Sequence, residues 1–318
     1  MREMFVVVLV ALSLSACGGK GGSPTAPSDG VVAYTLTIRA ARPPQGPIAG
    51  ATVVTDDSRV YNTDGNGAVS LEATDVGRRL RVTAQGHTGP SIIVFRPNGQ
   101  GMTHYLLPDD AEMPYSWLKE AFYGSNDNQQ IWRPMPGRLD VGLSDEGRAD
   151  PRVSDALAWG ANTLNNAQRQ VSFNVVEAGQ IGTVRMYRDP SDPVFRRAGF
   201  ENVWAFTAIT TRGPIVIGAR IVWKFFLVSP NSALPEHIGK AMAHELSHVI
   251  GIRGHPCCGI MGSPLVLQDF SHQEKEAFNY LFLRPPGTRS PDNLASAPQL
   301  SASAQGERRE TLVCVLRQ

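Results

Sequence analysis

Two histidines, His244 and His248, stand four residues apart in a run whose apolar members, Leu246, Val249 and Ile250, ask to face a core. In a helix, residues four apart lie one turn above each other on the same face. Burying one side therefore holds both imidazoles on a rigid platform, aimed at a single point. Glu245 lies about 100° round the helix from His244, so its carboxylate reaches toward that point without taking a ligand's place. Gly251 is placed to end the helix in the left-handed conformation, and the chain then turns back to offer His255. A catalytic zinc site needs three protein ligands and one open position, and His244, His248 and Glu245 supply two of those ligands and a general base.

The run His244-Glu245-Leu246-Ser247-His248-Val249-Ile250-Gly251, with His255 and then Cys258-Gly-Ile-Met261-Gly, resembles the metzincin zinc metallopeptidases. The resemblance extends over roughly residues 115–286, with its specific part in 244–262. It implies a zincin-like α/β domain, in which a twisted mixed sheet packs on two main helices. It implies one catalytic Zn2+ held by His244, His248 and His255, with Glu245 as general base and Met261 in a methionine turn beneath the metal. The family spacing puts the third histidine three residues after the glycine, where this chain has Gly254, so His255 comes one residue late. The implied activity is endopeptidase cleavage of an extended protein or peptide substrate. Ile215 to Val222 is a candidate edge strand for pairing with such a substrate, or else an interior strand. Glu274 is a rival third ligand on the pattern of gluzincins, and His272 is another. Tyr280, the nearest downstream tyrosine, is expected to pack in the core. The alternative function is a surface lipoprotein binding module with a structural or degenerate zinc site. Against it stands Glu245, since a structural site has no use for a base. A further zinc hydrolase reading is an amidase acting on cell-wall peptide.

The N-terminus reads as an address. Arg2 precedes an apolar stretch from Met4 to Leu14, too short to span a bilayer. Leu14-Ser15-Ala16-Cys17 resembles the lipobox of bacterial lipoproteins, which implies cleavage before Cys17 and acylation of that cysteine. Residues 1–17 are thus a signal peptide and 18–30, rich in Gly, Ser and Pro, a flexible tether. The expected location is exported and lipid-anchored, with the outer membrane or cell surface favoured and the lipid as the membrane contact.

Residues 31–108 alternate in short runs separated by Gly, Asp and Asn turns, which predicts an all-β sandwich. Strands are expected at Tyr34–Ile38, Ala51–Val54, Ala68–Leu71, Arg79–Ala84 and Ile92–Phe95. Gly50-Ala-Thr-Val53, Thr63-Asp64-Gly-Asn-Gly67, Leu71 and Val82-Thr-Ala-Gln-Gly86 resemble carboxypeptidase-regulatory-like domains, which implies a spacer or a module that docks to an unknown protein. Residues 109–138, with Trp117, Trp132 and several prolines, are read as the inter-domain connection, with a latency segment as the alternative. In 115–286 strands are expected at 139–143, 171–175, 183–187, 202–210 and 215–223. Asp150 with Pro151 opens a helix that runs to about Arg169, a second spans Pro235 to Gly251, and Ser271 with Glu274 forms a capping box for a third. Residues 287–318 are expected to be a loose tail, with Thr311 to Leu316 as a segment that docks back. The fold class is therefore α+β and multidomain.

Thirty basic and 29 acidic residues leave a formal charge of +1, which gives no reason to expect nucleic acid as a partner. Beyond Cys17 the cysteines are Cys257, Cys258 and Cys314. In an exported protein Cys257 or Cys258 is expected to bridge to Cys314, while thiolate ligation of zinc is the other option.

Overall fold

A computed structural model describes residues 33–124, 130–177, 180, 182–198, 203–224, 235–256, 259–262, 269–290, 292 and 307–312. The signal peptide, Cys17, the tether, Cys257, Cys258 and Cys314 lie outside the described residues.

Seven short strands fill the first part of the chain: β1 (Ala33–Ala40), β2 (Thr52–Thr55), β3 (Val60–Asn62), β4 (Ala68–Glu72), β5 (Arg79–Thr83), β6 (Ser91–Val94) and β7 (Gly101–Leu106). Among the described residues they form two sheets, ordered β4-β1-β7 and β3-β2-β5-β6. Inward side chains of both, including Leu36, Ile38, Val53, Leu80, Val82 and Ile93, meet in one apolar core. Period-two alternation sets this layer. β7 was not legible in that way because the inward residue at its centre is His104, buried and 2.9 Å from the Ser91 hydroxyl.

The second part is mixed α/β. Helix α1 (Tyr115–Tyr123) comes first, followed by β8 (Gly137–Leu143), the short α2 (Asp145–Ala149) and α3 (Pro151–Ala167). Then come β9 (Val171–Val175), β10 (Val184–Arg188), β11 (Ala205–Arg212), β12 (Ile215–Trp223), α4 (Pro235–Ile250), α5 (His272–Phe282) and β13 (Glu307–Leu312). Their sheet is ordered β13-β11-β12-β10-β8-β9. β9, β8, β10 and β12 run parallel, whereas β11 is antiparallel to β12 and to β13. Helices α3 and α4 pack against each other, and α4 packs on β11 and β12. Local signals set the helix starts. Asp150 accepts from the Arg152 N–H with Pro151 next to it, and Ser271 and Glu274 form the reciprocal capping box.

Of the two readings of Ile215 to Val222 the interior one holds, since the segment is flanked by β11 and β10. Two expectations need correction. Residues 109–138 are more than a connection, because Trp117, Leu118, Ala121 and Phe122 bury α1 in the larger core. The segment after Pro286 is not wholly loose. Arg284 makes a buried two-pronged pair with Asp292, at 2.7 and 2.9 Å. The Asp292 carbonyl accepts from the Ile92 N–H of β6, and β13 adds itself to β11. The two apolar cores thus belong to one compact unit, residues 33–318. No helix among the described residues is long and apolar enough to cross a membrane.

Candidate metal centre

Helix α4 carries Leu246, Val249 and Ile250 into the core, as its pattern requires, and these are fully buried. His244, Glu245 and His248 are equally buried, with 0% exposure. The helix stops at Gly251, whose φ is +124°. A β-carbon there would lie 2.4 Å from the Trp132 carbonyl oxygen, so glycine is required both for the turn and for this close approach. Beyond it, the Arg253 N–H donates to the Ala121 carbonyl at 2.7 Å, and the Arg253 guanidinium stacks 4.2 Å over the Trp132 ring. At Gly254 a β-carbon would fall 2.0 Å from the Glu120 carbonyl oxygen. The residue that delays the third histidine is thus the one that presses the loop onto the end of α1.

This loop brings His255 to the other two. The ring centroids are 5.0 Å apart for His244 and His248, and 5.2 Å apart for His255 with each of them. One ligand nitrogen from each ring lies within 4.8 Å of the others, close enough to hold a metal ion. Backbone carbonyls set two of the tautomers. His244 Nδ1–H donates to Ile260 O at 2.7 Å and His248 Nδ1–H to Ile252 O at 2.6 Å. Each ring then presents the lone pair of its Nε2. Nε2 of His248 and Nε2 of His255 are buried and meet no hydrogen-bond partner among the described residues. Burial disfavours the imidazolium in all three rings. It holds His244 down to about 3, with His255 adding repulsion, and His248 and His255 also below the ordinary range. Neutral rings with inward lone pairs are what a divalent cation needs.

Glu245 is held from the sheet side. The Thr207 hydroxyl, on β11, donates to Glu245 Oε2 at 2.5 Å and lies 3.1 Å from the Glu245 carbonyl oxygen. Met261 sits in the turn 259–262 and is fully buried. That turn meets the centre through Ile260 O, the acceptor for His244. Glu274 is not a ligand. Its carboxylate accepts from the backbone N–H groups of Ile260, Met261 and Ser271, at 3.2, 2.6 and 2.7 Å. Burial pushes its pKa up while those bonds pull it down, with the net shift upward. His272 stands apart, exposed, with Glu276 3.1 Å away. Tyr280 is packing, as expected, and its hydroxyl donates to Glu276 at 2.7 Å. The side chain of His237 lies outside the described residues.

Sequence reading missed Thr207, the turn-bearing role of Glu274 and the contact of the His255 loop with α1. Thr207 had a faint signal, as a polar residue at an inward position of the apolar run Ala205-Phe-Thr-Ala-Ile209. No protein-family model matches this chain, and no curated protein matches it.

Proposed function

We propose that the protein is a zinc-dependent endopeptidase of the metzincin type, with His244, His248 and His255 as ligands and Glu245 as general base. The observation that carries the reading is the convergence of His244, His248 and His255, each of which offers one ring nitrogen within 4.8 Å of the others. A bound zinc ion would supply a Lewis acid that polarises the scissile carbonyl and acidifies water. The chain's own residues do the rest. The carbonyls of Ile260 and Ile252 fix the orientation of two ligand rings. Glu245 takes a proton from the attacking water and passes it to the leaving amine. Thr207 holds one carboxylate oxygen, which fixes the carboxylate plane.

The decisive experiment combines metal analysis with cleavage of a mixed peptide library. The metal-loaded protein is expected to carry one zinc per chain and to cut. Glu245→Ala should keep the zinc and lose about 10²- to 10⁴-fold in rate, and chelation should silence the parent until zinc is restored. One zinc bound with equal cleavage by parent and Glu245→Ala, or no cleavage at all, would favour the structural-site alternative. Export and lipid attachment are part of the same proposal. Labelled fatty acid is expected in the parent and absent from Cys17→Ser.

A further inference from the structure

The sheet of the α/β layer has two faces, and the helix-bearing core uses one of them. Val184, Met186, Ala219, Ile221 and Ile209 point into that core, and alternation turns their neighbours to the other side. There Thr183, Arg185, Tyr187, Thr210 and Arg220 line a cavity of about 490 Å³, which Ala208 and Gly218, with little or no side chain, help keep open. A cavity of this size takes a small molecule rather than a bare ion.

Its charges are unequally answered. Arg185 and Arg220 stand alongside each other in the β10–β12 register, on strands roughly 4.8 Å apart, and like charges so placed repel. Arg220 is answered from within the protein. Its Nη1 donates to Asp192 Oδ2 and to the Tyr187 hydroxyl, each at 3.1 Å, and its guanidinium lies 5.5 Å from the centroid of the Phe206 ring. Asp192 is fixed in place, because its other oxygen accepts from the Val194 N–H at 2.9 Å. Arg185 is exposed and makes no hydrogen bond or ion pair among the described residues. Two further carboxylates of this region are engaged, Glu146 by Arg188 at 2.8 Å and Asp189 by the Ser191 hydroxyl at 2.6 Å. The fold thus sets two guanidinium groups side by side and neutralises one.

We infer that this cavity binds a small molecule carrying a carboxylate or phosphate group, gripped by the planar fork of Arg185 beside Arg220. The hydroxyls of Thr183 and Thr210 are further donors in its lining. The site uses the opposite face of β11 from Thr207 and Glu245, so it is separate from the metal centre and does not rest on the peptidase reading.

The test is calorimetric titration of the full chain at low salt, with succinate and inorganic phosphate as probes. One site per chain is expected for the better of the two, and the comparison shows which oxyanion the cavity prefers. Arg185→Gln should weaken that binding about ten- to hundredfold. Arg81→Gln, which removes the same charge from an exposed position on β5, should leave it unchanged. Ligand-free R185Q relieves the repulsion, so it is expected to melt at or above the parent's temperature and to lose the upward shift that the probe gives the parent. Metal-stripped protein should bind as the loaded protein does. The inference is overturned if neither probe saturates a site. It is also overturned if Arg185→Gln and Arg81→Gln weaken binding equally, which marks general attraction to a positive surface. Binding that disappears with the metal places the anion at the histidines and overturns it too, as does ligand-free R185Q melting well below the parent, which makes Arg185 structural.

Discussion

At the scale of single residues, the centre depends on groups that hold other groups. Thr207→Val keeps the shape of the side chain and removes the donor to Glu245. A hydrogen bond to a charged group contributes about 1.5–3 kcal/mol, so kcat is expected to fall roughly ten- to hundredfold with zinc content unchanged, and Thr207→Ser should recover most of it. Equal kcat for the valine and serine variants would show that Thr207 is only packing. Glu274→Ala leaves backbone N–H groups of Ile260 and Met261 without their acceptor. Stability should drop by about 2–3 kcal/mol, read as a lower denaturation midpoint at an unchanged slope. The histidines set the response to acid. Burial holds His104 well below the ordinary imidazole range, with Arg284 adding to it, and also lowers His244, His248 and His255. The unfolded chain protonates first, near pH 6.5. Stability of the metal-free protein is therefore complete above that pH and is lost as pH falls through it. Each buried neutral histidine costs about 1.4 kcal/mol per pH unit lower down. A melting temperature that stays level from pH 7.5 to 5 would contradict this.

Among elements, α4 was the most legible. Its apolar stripe, its two histidines and its glycine stop all point to one outcome, and the helix ends at Ile250, one residue before Gly251. The capping signals of α3 and α5 were equally plain, since each is a local side-chain-to-backbone bond. What the sequence hid was non-local. The place of β12 inside the sheet depends on which strands flank it, and alternation does not encode neighbours. The contact between α1 and the His255 loop joins segments far apart in the chain, and nothing near Gly254 announces it. Gly254→Ala tests that contact. The added methyl meets the Glu120 carbonyl, so the loop must shift, and zinc affinity is expected to fall about ten- to hundredfold, as when a ligand's supporting contacts are lost. Titration against a competing chelator measures it.

For the whole molecule, the Arg284–Asp292 pair sits where the sandwich meets the α/β layer. Arg133 donates from its guanidinium to the Arg284 carbonyl, at 2.9 and 3.1 Å, and Asp292 reaches β6 through its own carbonyl. Breaking a buried pair by removing one charge costs about 3–5 kcal/mol. Asp292→Asn should lower the melting temperature and separate a single calorimetric transition into two, one for each apolar core; a single transition at the parent's temperature would refute the coupling.

Residues 244, 245, 248 and 255 all precede β13 in the chain, and so does β11. During folding the histidines can come together while the flank of β11 is still bare. Closing that flank must wait for a pairing across the whole metal loop and α5, a long-range step with a larger loop-closure cost than the β11–β12 hairpin. Until that pairing forms, β11 presents a row of unpaired backbone groups, the feature through which a chain sticks to its neighbours.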